Sequence, residues 1–457
     1  MKKVFIYALS IAAIAFASCK QQDMSEEVIG GGHLTNFIVL TPEEYASVAY
    51  SDDNELSMDE VLAITKSFVE DTEAPVGEKT RNNENASYSI AKKIEIASPQ
   101  TRSGIKSSLN AYYVNVVSGD SRGIALVSGD RRFPEVLSFC PKAKVEDFTN
   151  HEGAFIMSEI SKQTMRDQVR YYEYLRDSLE EKTLEKISQK YGINDVNFSE
   201  IENKIAIYVD NASNTRGTVD PIGTLVSKIG PFTNTAWDQG DPYNNLLPET
   251  DIEEFQGYPN YGRFPTGCVI VVGAQILAYY QPTVVAYGVN MNWSLLLQSP
   301  YIFTGEYTKI NQVANLMKYI GEETGTFYNE DGGNTSVESL TSFLNRYGIT
   351  MDGAVNGLNV SRIKVSLDAV RMVVASGRLS SATKGGHSWL FDGYQIRRKN
   401  TREILKSNHI YVHANMGWGG TATGYYIVGD DQSLQIDTPN GLYNTNLKIY
   451  CNVRSTR

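Results

Sequence analysis

Cysteine and histidine are scarce in this chain, which has 4 Cys and 5 His among 457 residues. So few cysteines exclude a small scaffold held together by many disulfides. They also exclude repeated zinc modules, because each module needs a quartet of Cys or His ligands at short spacing.

Positive charge is also in short supply, with 42 Lys+Arg against 53 Asp+Glu and a net charge of −11. Nucleic-acid binding needs an excess of basic side chains to neutralise phosphates, so no nucleic-acid partner is expected. The chain has no P-loop motif, and its patterns predict no bound metal or other cofactor.

What the chain does have is the composition of a globular protein, with 41% hydrophobic and 21% charged residues. At roughly 100–200 residues per domain, its length predicts two or three domains, enough for a sizeable core.

Residues 1–18 have the pattern of a signal peptide, because two lysines precede an almost wholly apolar run over 4–17. That run is too short to span a bilayer core of roughly 30 Å. Small residues before Cys19 resemble a bacterial lipobox, in which the cysteine is lipidated; an ordinary cleavage site with an incidental cysteine is the alternative. Residues 19–33 would then form a lipid-anchored tether. We therefore expect an exported outer-membrane lipoprotein, periplasmic or at the cell surface, anchored rather than membrane-spanning and releasable by processing.

Downstream of the tether, hydrophobic periodicity predicts a mixture of helices and strands. An amphipathic helix is predicted over 57–71, where Ser57 and Glu60 form a capping box. One or two long helices are predicted over 152–191. The polar stretch 80–108 is predicted to be an exposed connection. Strands are predicted by the apolar runs 111–117, 123–127 and 135–139.

The best candidate for a linker is the small, polar, Gly-containing stretch 211–220. It contains Arg216, a suitable cut site for a trypsin-like activity. The sequence beyond it is richer in Gly, Asn and aromatic residues, which predicts a domain boundary here.

Cys268 lies between a turn and the apolar segment 269–280. The length of this segment and the proline after it favour a helix, although 269–272 alone would suit a strand. At a helix N-terminus, unpaired N–H groups and the helix dipole favour a thiolate nucleophile. The alternative is that Cys268 is only a small buried hydrophobe.

A thiolate nucleophile needs an imidazole partner, and His387 follows two glycines and opens an apolar strand. A second strand is predicted over 409–414, and Asn415 follows it in an Asn-x-Gly-Trp-Gly-Gly motif. Asn415 could orient the far imidazole nitrogen, and Trp418 could shield that pair from water. The alternatives are a histidine satisfied within its strand and a Gly-rich turn with a packing tryptophan.

Together these motifs resemble the streptopain family of papain-like cysteine peptidases. The order Cys, His, Asn-x-Gly-Trp-Gly-Gly is that of the family, and the stretch 128–135 is similar to its inhibitory propeptide. The resemblance covers residues 35–455. Further matching elements are Trp237-x-Gln239, Thr266-Gly267-Cys268, Gly386-His387 and Asp392-Gly393.

The resemblance implies an α+β fold with a helical part carrying the cysteine and an antiparallel β part carrying the histidine. Residues 34–216 would be an α+β inhibitory propeptide, and residues 217–457 the peptidase domain. The implied partners are protein or peptide substrates and, as an intramolecular inhibitor, the chain's own propeptide. A preference for a hydrophobic residue one position before the cleaved residue is also implied.

The family's roles carry over to five positions. Cys268 would be the nucleophile and His387 the general acid/base. Gln239 would contribute its side-chain amide to the oxyanion hole, beside the Cys268 backbone N–H. Asn415 and Trp418 would support and cover the histidine.

Two departures from the family pattern are visible. Met416 stands where relatives usually have an aromatic residue, so the resemblance does not predict the shape of the primed side of the cleft. The helix after Cys268 begins with larger apolar residues than is usual in the family.

Two competing functions remain at this point. A non-catalytic surface adhesin or inhibitor could retain the fold, although the complete set of Cys, His, Asn and Trp speaks against it. A metal site could use His409 and His413, which share one face of a strand, but no His-Glu-x-x-His motif is present. Cys140 and Cys451 are expected to be buried thiols.

Overall fold

The computed structural model describes residues 37–50, 54–73, 86–96, 109–194, 196–207, 224–378, 386–398, 408–429, 435–438, 441–444 and 446–456. The predicted signal peptide, the tether with Cys19 and the linker with Arg216 lie outside these residues.

The N-terminal segment, residues 37–207, combines helices with strands. Its helices are Pro42–Val48 (α1), Met58–Glu73 (α2), Asp147–Asn150 (α3), Glu152–Tyr191 (α4) and Phe198–Ile201 (α5), followed by the 3-10 helix Glu202–Lys204. Its strands are Ile38–Leu40 (β1), Ala86–Ile96 (β2), Leu109–Ser118 (β3), Ser121–Ser128 (β4), Val136–Cys140 (β5) and Ile205–Ile207 (β6).

Most of the predicted elements of this segment are confirmed. The helix predicted over 57–71 is α2, and Ser57 and Glu60 exchange the hydrogen bonds of a capping box, with Glu60 N donating to Ser57 Oγ at 3.3 Å and Ser57 N donating to Glu60 Oε2 at 2.8 Å. The long charged stretch forms one continuous helix, α4, which ends at Gly192 in the left-handed conformation (φ 64°). The three predicted strands are β3, β4 and β5.

The prediction of an exposed connection over 80–108 is wrong for residues 86–96, which form β2. Among the described residues this strand pairs only with β3, so it forms an edge of the sheet. An edge strand packs few side chains and is exposed along much of its length, so its composition is polar. The polarity therefore concealed a strand that tertiary pairing creates.

The C-terminal segment, residues 224–456, begins with a helical part and ends in a β part. Its helices are Cys268–Tyr280 (α6), Trp293–Leu296 (α7), Tyr307–Glu323 (α8), Val337–Asn345 (α9) and Val360–Asp368 (α10), with a 3-10 helix at Glu253–Phe255. Its strands are Thr224–Ile229 (β7), Val285–Ala286 (β8), Val289–Asn290 (β9), Phe327–Asn329 (β10), Gly332–Asn334 (β11), Ile349–Thr350 (β12), Val355–Asn356 (β13), Val373–Gly377 (β14), His387–Arg398 (β15), Asn408–Asn415 (β16), Gly424–Val428 (β17), Gln435–Thr438 (β18), Gly441–Asn444 (β19), Lys448–Tyr450 (β20) and Arg454–Ser455 (β21).

Among the described residues, an antiparallel sheet of eleven strands runs through both segments. Its order is β13-β20-β14-β15-β16-β17-β5-β4-β3-β2, and β7 pairs with β15. The segments meet where β5 pairs with β17, with Phe139 opposite Tyr425 and Ser138 opposite Tyr426. The helix α4 contacts β5, β15 and β17, so it crosses this junction. The two segments therefore share backbone pairing and a hydrophobic core.

The helix α6 is the buried centre of the C-terminal segment. Every residue from Val269 to Ala278 is buried, and the helix packs against α8, α9 and β15. The helical interpretation of 269–272 is thus confirmed over the strand. The chain leaves α6 at Gln281, which adopts the left-handed conformation before a proline.

The expected α+β class is confirmed, because Cys268 opens a buried helix and His387 opens a strand of the antiparallel sheet. In the described part of the chain, no helix combines the length and apolarity needed to cross a membrane.

Candidate active site

The position of Cys268 depends on the glycine before it. Gly267 caps α6 with φ 97°, a conformation that residues with a side chain rarely adopt. A Cβ at Gly267 would also lie 2.1 Å from the Gly333 carbonyl oxygen. Glycine therefore lets the chain pass β11 and place the cysteine as the first helical residue.

The environment of Cys268 opposes and favours the thiolate at once. Burial is the largest influence and raises the pKa of the thiol, whereas the N–H groups of Ser388, Val269 and Cys268 itself act in the other direction. The Ser388 N–H lies 3.3 Å from Sγ. Since burial prevails, the cysteine is a thiol at neutral pH in this state.

His387 directly precedes Ser388, so its backbone is next to the sulfur. Its ring nevertheless makes no hydrogen bond to Cys268 among the described residues. Instead, Nε2 lies 2.8 Å from the Met416 carbonyl oxygen. A carbonyl can only accept, so Nε2 carries the proton and Nδ1 is the basic nitrogen of the neutral ring. Burial lowers the pKa of His387 to about 3, against the smaller opposing influence of the Met416 carbonyl.

The N-terminal segment covers His387. A Cβ at Gly153, in the first turn of α4, would lie 2.5 Å from His387 Cδ2. His151, which precedes α4, has its ring centre 4.3 Å from that of Trp418. The start of α4 therefore excludes water from the imidazole and contributes to the burial that keeps it neutral.

Trp418 lies where the sequence predicts it, against the histidine. The ring centres of His387 and Trp418 are 3.9 Å apart with an interplanar angle of 24°, which is a stacked arrangement. On β15, the ring of Trp389 is nearly parallel to the same imidazole, and the two ring centres are 6.1 Å apart. Trp418 thus covers a face of the imidazole, and Trp389 lies farther from it.

Asn415 is buried and directly precedes Met416, whose carbonyl oxygen accepts the hydrogen bond of His387. The Asn415 side chain bonds other partners. Nδ2 donates to the Thr235 carbonyl and to Gln275 Oε1, at 3.0 and 3.1 Å. Oδ1 accepts from the Gly417 N–H at 3.1 Å. In this state Asn415 shapes the loop after β16, and its direct support of the imidazole stays a prediction.

Gln239 lines the same cleft as Cys268. Its backbone carbonyl accepts a 2.9 Å hydrogen bond from the Thr266 N–H, two residues before the cysteine. This bond ties the Gln239 loop to the start of α6. The arrangement is compatible with the predicted oxyanion role, which stays a prediction.

The cleft has a volume of about 1230 Å³ and is lined by both segments. Cys268, His387, Gln239 and Trp418 all line it, so the fold brings together four of the five predicted residues. Met416 is not among its lining residues: it is fully buried, and its sulfur would lie 3.3 Å from a Cβ at Gly153. Its effect on cleft shape therefore passes through the N-terminal segment.

Three polar residues near the site, the buried Thr235 and Gln275 and the partly buried Thr233, were not singled out for a role by the sequence reasoning. Thr235 Oγ1 donates to Gln275 Oε1 at 2.9 Å, and Thr233 bonds Asp392 through both its N–H and its hydroxyl. The signal for Gln275 was available, since it is a polar residue within an otherwise apolar helix. The two threonines carry no such signal.

The other histidines and cysteines take structural places. His413 Nδ1 lies 2.6 Å from Asp392 Oδ1, and His409 Nε2 lies 3.6 Å from Glu135 Oε1. Within the described residues, no cluster of Cys, His, Asp and Glu is suited to hold a metal ion. Cys140 and Cys451 are both free and buried.

Comparison with known proteins gave a family and two similar solved structures. The model of the Peptidase C10 family matches residues 237–426. A fragment of prointerpain A from Prevotella intermedia is 17% identical and has a TM-score of 0.45, covering 80% of this chain and 100% of that one. Active interpain A, a cysteine protease of the same organism, is 19% identical with a TM-score of 0.35, covering 50% of this chain and 97% of that one. No curated protein matched.

The matched residues contain every predicted catalytic position, from Gln239 through Cys268 and His387 to Trp418. Residues 237–426 thus match the Peptidase C10 family, the streptopain family, which supports a cysteine-type endopeptidase.

Proposed function

We propose that this chain is the zymogen of an exported, lipid-anchored cysteine endopeptidase. Residues 34–216 act as its inhibitory propeptide, and residues 217–457 form its peptidase domain. The observation that carries the proposal is the contact of Gly153 with the His387 ring at the cleft that Cys268 lines. An N-terminal segment that covers the catalytic histidine is what a latent peptidase requires.

The charge states of Cys268 and His387 account for the latency of the proposed zymogen. A cysteine peptidase needs a thiolate beside an imidazolium. Here the pKa of the Cys268 thiol is raised and that of His387 is lowered to about 3, both mainly by burial. Both groups are therefore neutral between about pH 4 and pH 8. Removing α4 would hydrate the imidazole and free it to approach the sulfur.

In the processed enzyme, Cys268 Sγ attacks the substrate carbonyl and His387 protonates the leaving amine. The Gln239 side-chain amide and the Cys268 N–H stabilise the oxyanion. Water activated by His387 then hydrolyses the acyl-enzyme. A hydrophobic residue is preferred one position before the cleaved residue. Lipid is attached at Cys19, and labelling with a fatty acid that persists in Cys19→Ala would contradict this anchor.

Purified full-length chain and its Cys268→Ala variant test the peptidase. We expect the wild type to cleave casein after processing and Cys268→Ala to lose more than 99% of that activity, roughly the effect of removing a nucleophile. Cys451→Ala is the matched control, because it removes a buried thiol away from the cleft. An epoxide thiol inhibitor should label Cys268 in the processed enzyme. Full cleavage by Cys268→Ala would refute the mechanism, and an unlabelled, inactive wild type would favour an adhesin or inhibitor.

A further inference from the structure

The loop after Trp418 holds a lysine side chain from the N-terminal segment. Lys142 Nζ donates a 2.6 Å hydrogen bond to the Gly419 carbonyl oxygen. It also lies 5.1 Å from the centre of the Tyr301 ring. An ammonium is attracted by the face of an aromatic ring and by a carbonyl dipole. These groups therefore form two sides of a cation site.

Asp238 supplies the negative charge of this site. A Cβ at Gly419 would lie 2.7 Å from Asp238 Oδ2, so the carboxylate lies directly against the loop that holds the lysine. Burial raises the pKa of Asp238, while the N–H groups of Gln239 and Gly240 and the charges of Lys142 and His151 act in the other direction. Without Lys142, this half-buried carboxylate would lose a cationic partner.

Backbone pairing delivers the lysine to the site. Beyond the pair of Phe139 and Tyr425, the Ala422 N–H donates to the Lys142 carbonyl at 2.9 Å. Between these contacts, Cys140 Sγ lies 3.4 Å from the Ala422 carbonyl oxygen. Residues 139–142 therefore run antiparallel to 422–425, as an extended peptide does along a strand edge.

The charged residues that line the cleft also favour a site for a cation. Among the described residues that line it, the Lys and Arg side chains all come from the N-terminal segment, namely Arg122, Lys142 and Lys144, and the same segment also contributes Asp120, Asp147 and Glu152. Of the Asp, Glu, Lys and Arg residues that line the cleft, the C-terminal segment contributes only acidic ones, namely Asp238, Glu254, Glu330 and Asp331. Without the N-terminal segment, the Asp, Glu, Lys and Arg residues that line the described cleft are all acidic.

We propose that Asp238, the Gly419 carbonyl and the Tyr301 ring form a substrate subsite for a lysine or arginine side chain, which Lys142 occupies in the zymogen. The inference rests on the proposed function, because it takes the N-terminal segment to be the part that is removed. Cys268 lines the same cleft, so a peptide bound for cleavage passes this subsite. The substrates are therefore protein segments with a basic residue near the scissile bond.

Pairs of internally quenched peptides test the subsite on the processed enzyme. Each peptide keeps one scissile bond and a fixed hydrophobic residue before the cleaved residue. Lysine or uncharged norleucine is then placed at each remaining position within three residues of the bond. We expect kcat/KM to be about tenfold higher for lysine at one position, as a desolvated charge-assisted contact provides.

Three variants assign that preference to the named groups. Asp238→Asn should lower the ratio of lysine to norleucine to less than about threefold, whatever its effect on the overall rate. Tyr301→Leu should lower the ratio, and the matched Tyr301→Phe, which keeps the ring, should preserve it.

The outcomes separate this inference from the proposed function. A ratio near one at every position in an active enzyme overturns the subsite alone, as does a ratio that neither Asp238→Asn nor Tyr301→Leu reduces. Failure of the processed wild type to cleave any peptide overturns the peptidase function, and the subsite with it.

Discussion

At the scale of single residues, the contacts of the described chain set the state of the two side chains proposed to be catalytic, His387 and Cys268. His387 is stacked on Trp418, bonded to the Met416 carbonyl and covered by Gly153. These contacts hold a neutral ring, because burial without a counter-charge disfavours the imidazolium. Cys268 consequently lacks the positive neighbour that would lower its pKa.

Gly153 is the residue whose size decides how closely α4 approaches His387. Gly153→Ala should push the helix away, since its Cβ would lie 2.5 Å from the ring. We expect the full-length chain to lose about 1–3 kcal/mol of unfolding free energy and to process several-fold faster. Alanine favours a helix over glycine by about 1 kcal/mol, so a loss of stability would report the clash.

Urea unfolding of the inactive Cys268→Ala background and the processing rate of the active chain are the two measurements. Gly353→Ala is the matched control, because its Cβ would meet nothing within 4 Å. If Gly153→Ala is as stable and as slowly processed as Gly353→Ala, then α4 does not restrain the histidine.

The raised pKa of Cys268 predicts how the zymogen reacts with iodoacetamide. A thiol deprotonates only as the pH rises through its pKa, so alkylation of Cys268 should be slow at pH 5–8 and rise at alkaline pH. The processed enzyme should react readily at pH 5–8, because the imidazolium then stabilises the thiolate. Mass spectrometry of alkylated peptides gives the rate at each cysteine.

Cys140 serves as the internal control, since burial raises its pKa to about 12 and the intact fold shields it. Zymogen in which Cys268 reacts as fast at pH 5–8 as at alkaline pH would contradict the neutral pair.

At the scale of secondary-structure elements, α2 of the N-terminal segment is held by the C-terminal segment. Arg397 of β15 donates to the Phe68 carbonyl and to Thr72 Oγ1, at 3.2 and 3.1 Å, and its guanidinium lies 4.2 Å from the centre of the Phe68 ring. Lys228 of β7 also donates to the Thr72 carbonyl at 2.6 Å. Cations at a helix C-terminus satisfy its free carbonyls and its dipole.

Arg397→Met should therefore weaken the attachment of the N-terminal segment. Arg397 is fully buried, and its loss leaves carbonyl and hydroxyl groups without a donor, so we expect a loss of about 2–4 kcal/mol in unfolding free energy. Arg398→Met, at an exposed neighbour, is the matched control and should change stability by less than about 0.5 kcal/mol. Equal effects of the two substitutions would argue against this capping role. Denaturant unfolding of the Cys268→Ala chain measures both.

At the scale of the whole molecule, the sheet makes one unit of the two segments, through the pairing of β5 with β17 and a core that both share. A propeptide attached in this way must be detached as well as cut. Under the proposed function, the covering of the histidine and the continuity of the sheet would keep the folded chain inactive until it is processed.

Processing is predicted in the stretch 211–220, at or near Arg216. N-terminal sequencing of the active form should place its first residue close to 217, and Arg216→Gln should slow activation by a trypsin-like enzyme about tenfold or more, as loss of a charged recognition residue does. Arg102→Gln, in another polar stretch, is the control. A new terminus before residue 190 or after residue 236 would refute this position.

The sequence predicted much of the fold because many of its signals are local. The capping residues Ser57 and Glu60, the periodicity of α4 and the apolar segment after Cys268 each depend on neighbours within a few positions. The strand β2 was missed, because an edge strand has little apolar alternation and is defined by its partner β3. The order of the motifs identified the candidate catalytic residues. It did not predict the hydrogen-bond partners of Asn415, because most of them lie far away in the chain.

The sequence by itself determined which side chains can do the chemistry and where in the chain they stand: a cysteine at a helix start, a histidine at a strand start and a tryptophan in a Gly-rich turn. Only the tertiary structure decided that His387 bonds the Met416 carbonyl, that Gly153 covers it and that Lys142 lies on Gly419. The contacts of Gly153 and Lys142 join residues more than two hundred positions apart, and that of Met416 joins residues 29 positions apart across β15 and β16. Their geometry follows from the packing of the sheet and α4, and no local periodicity encodes it.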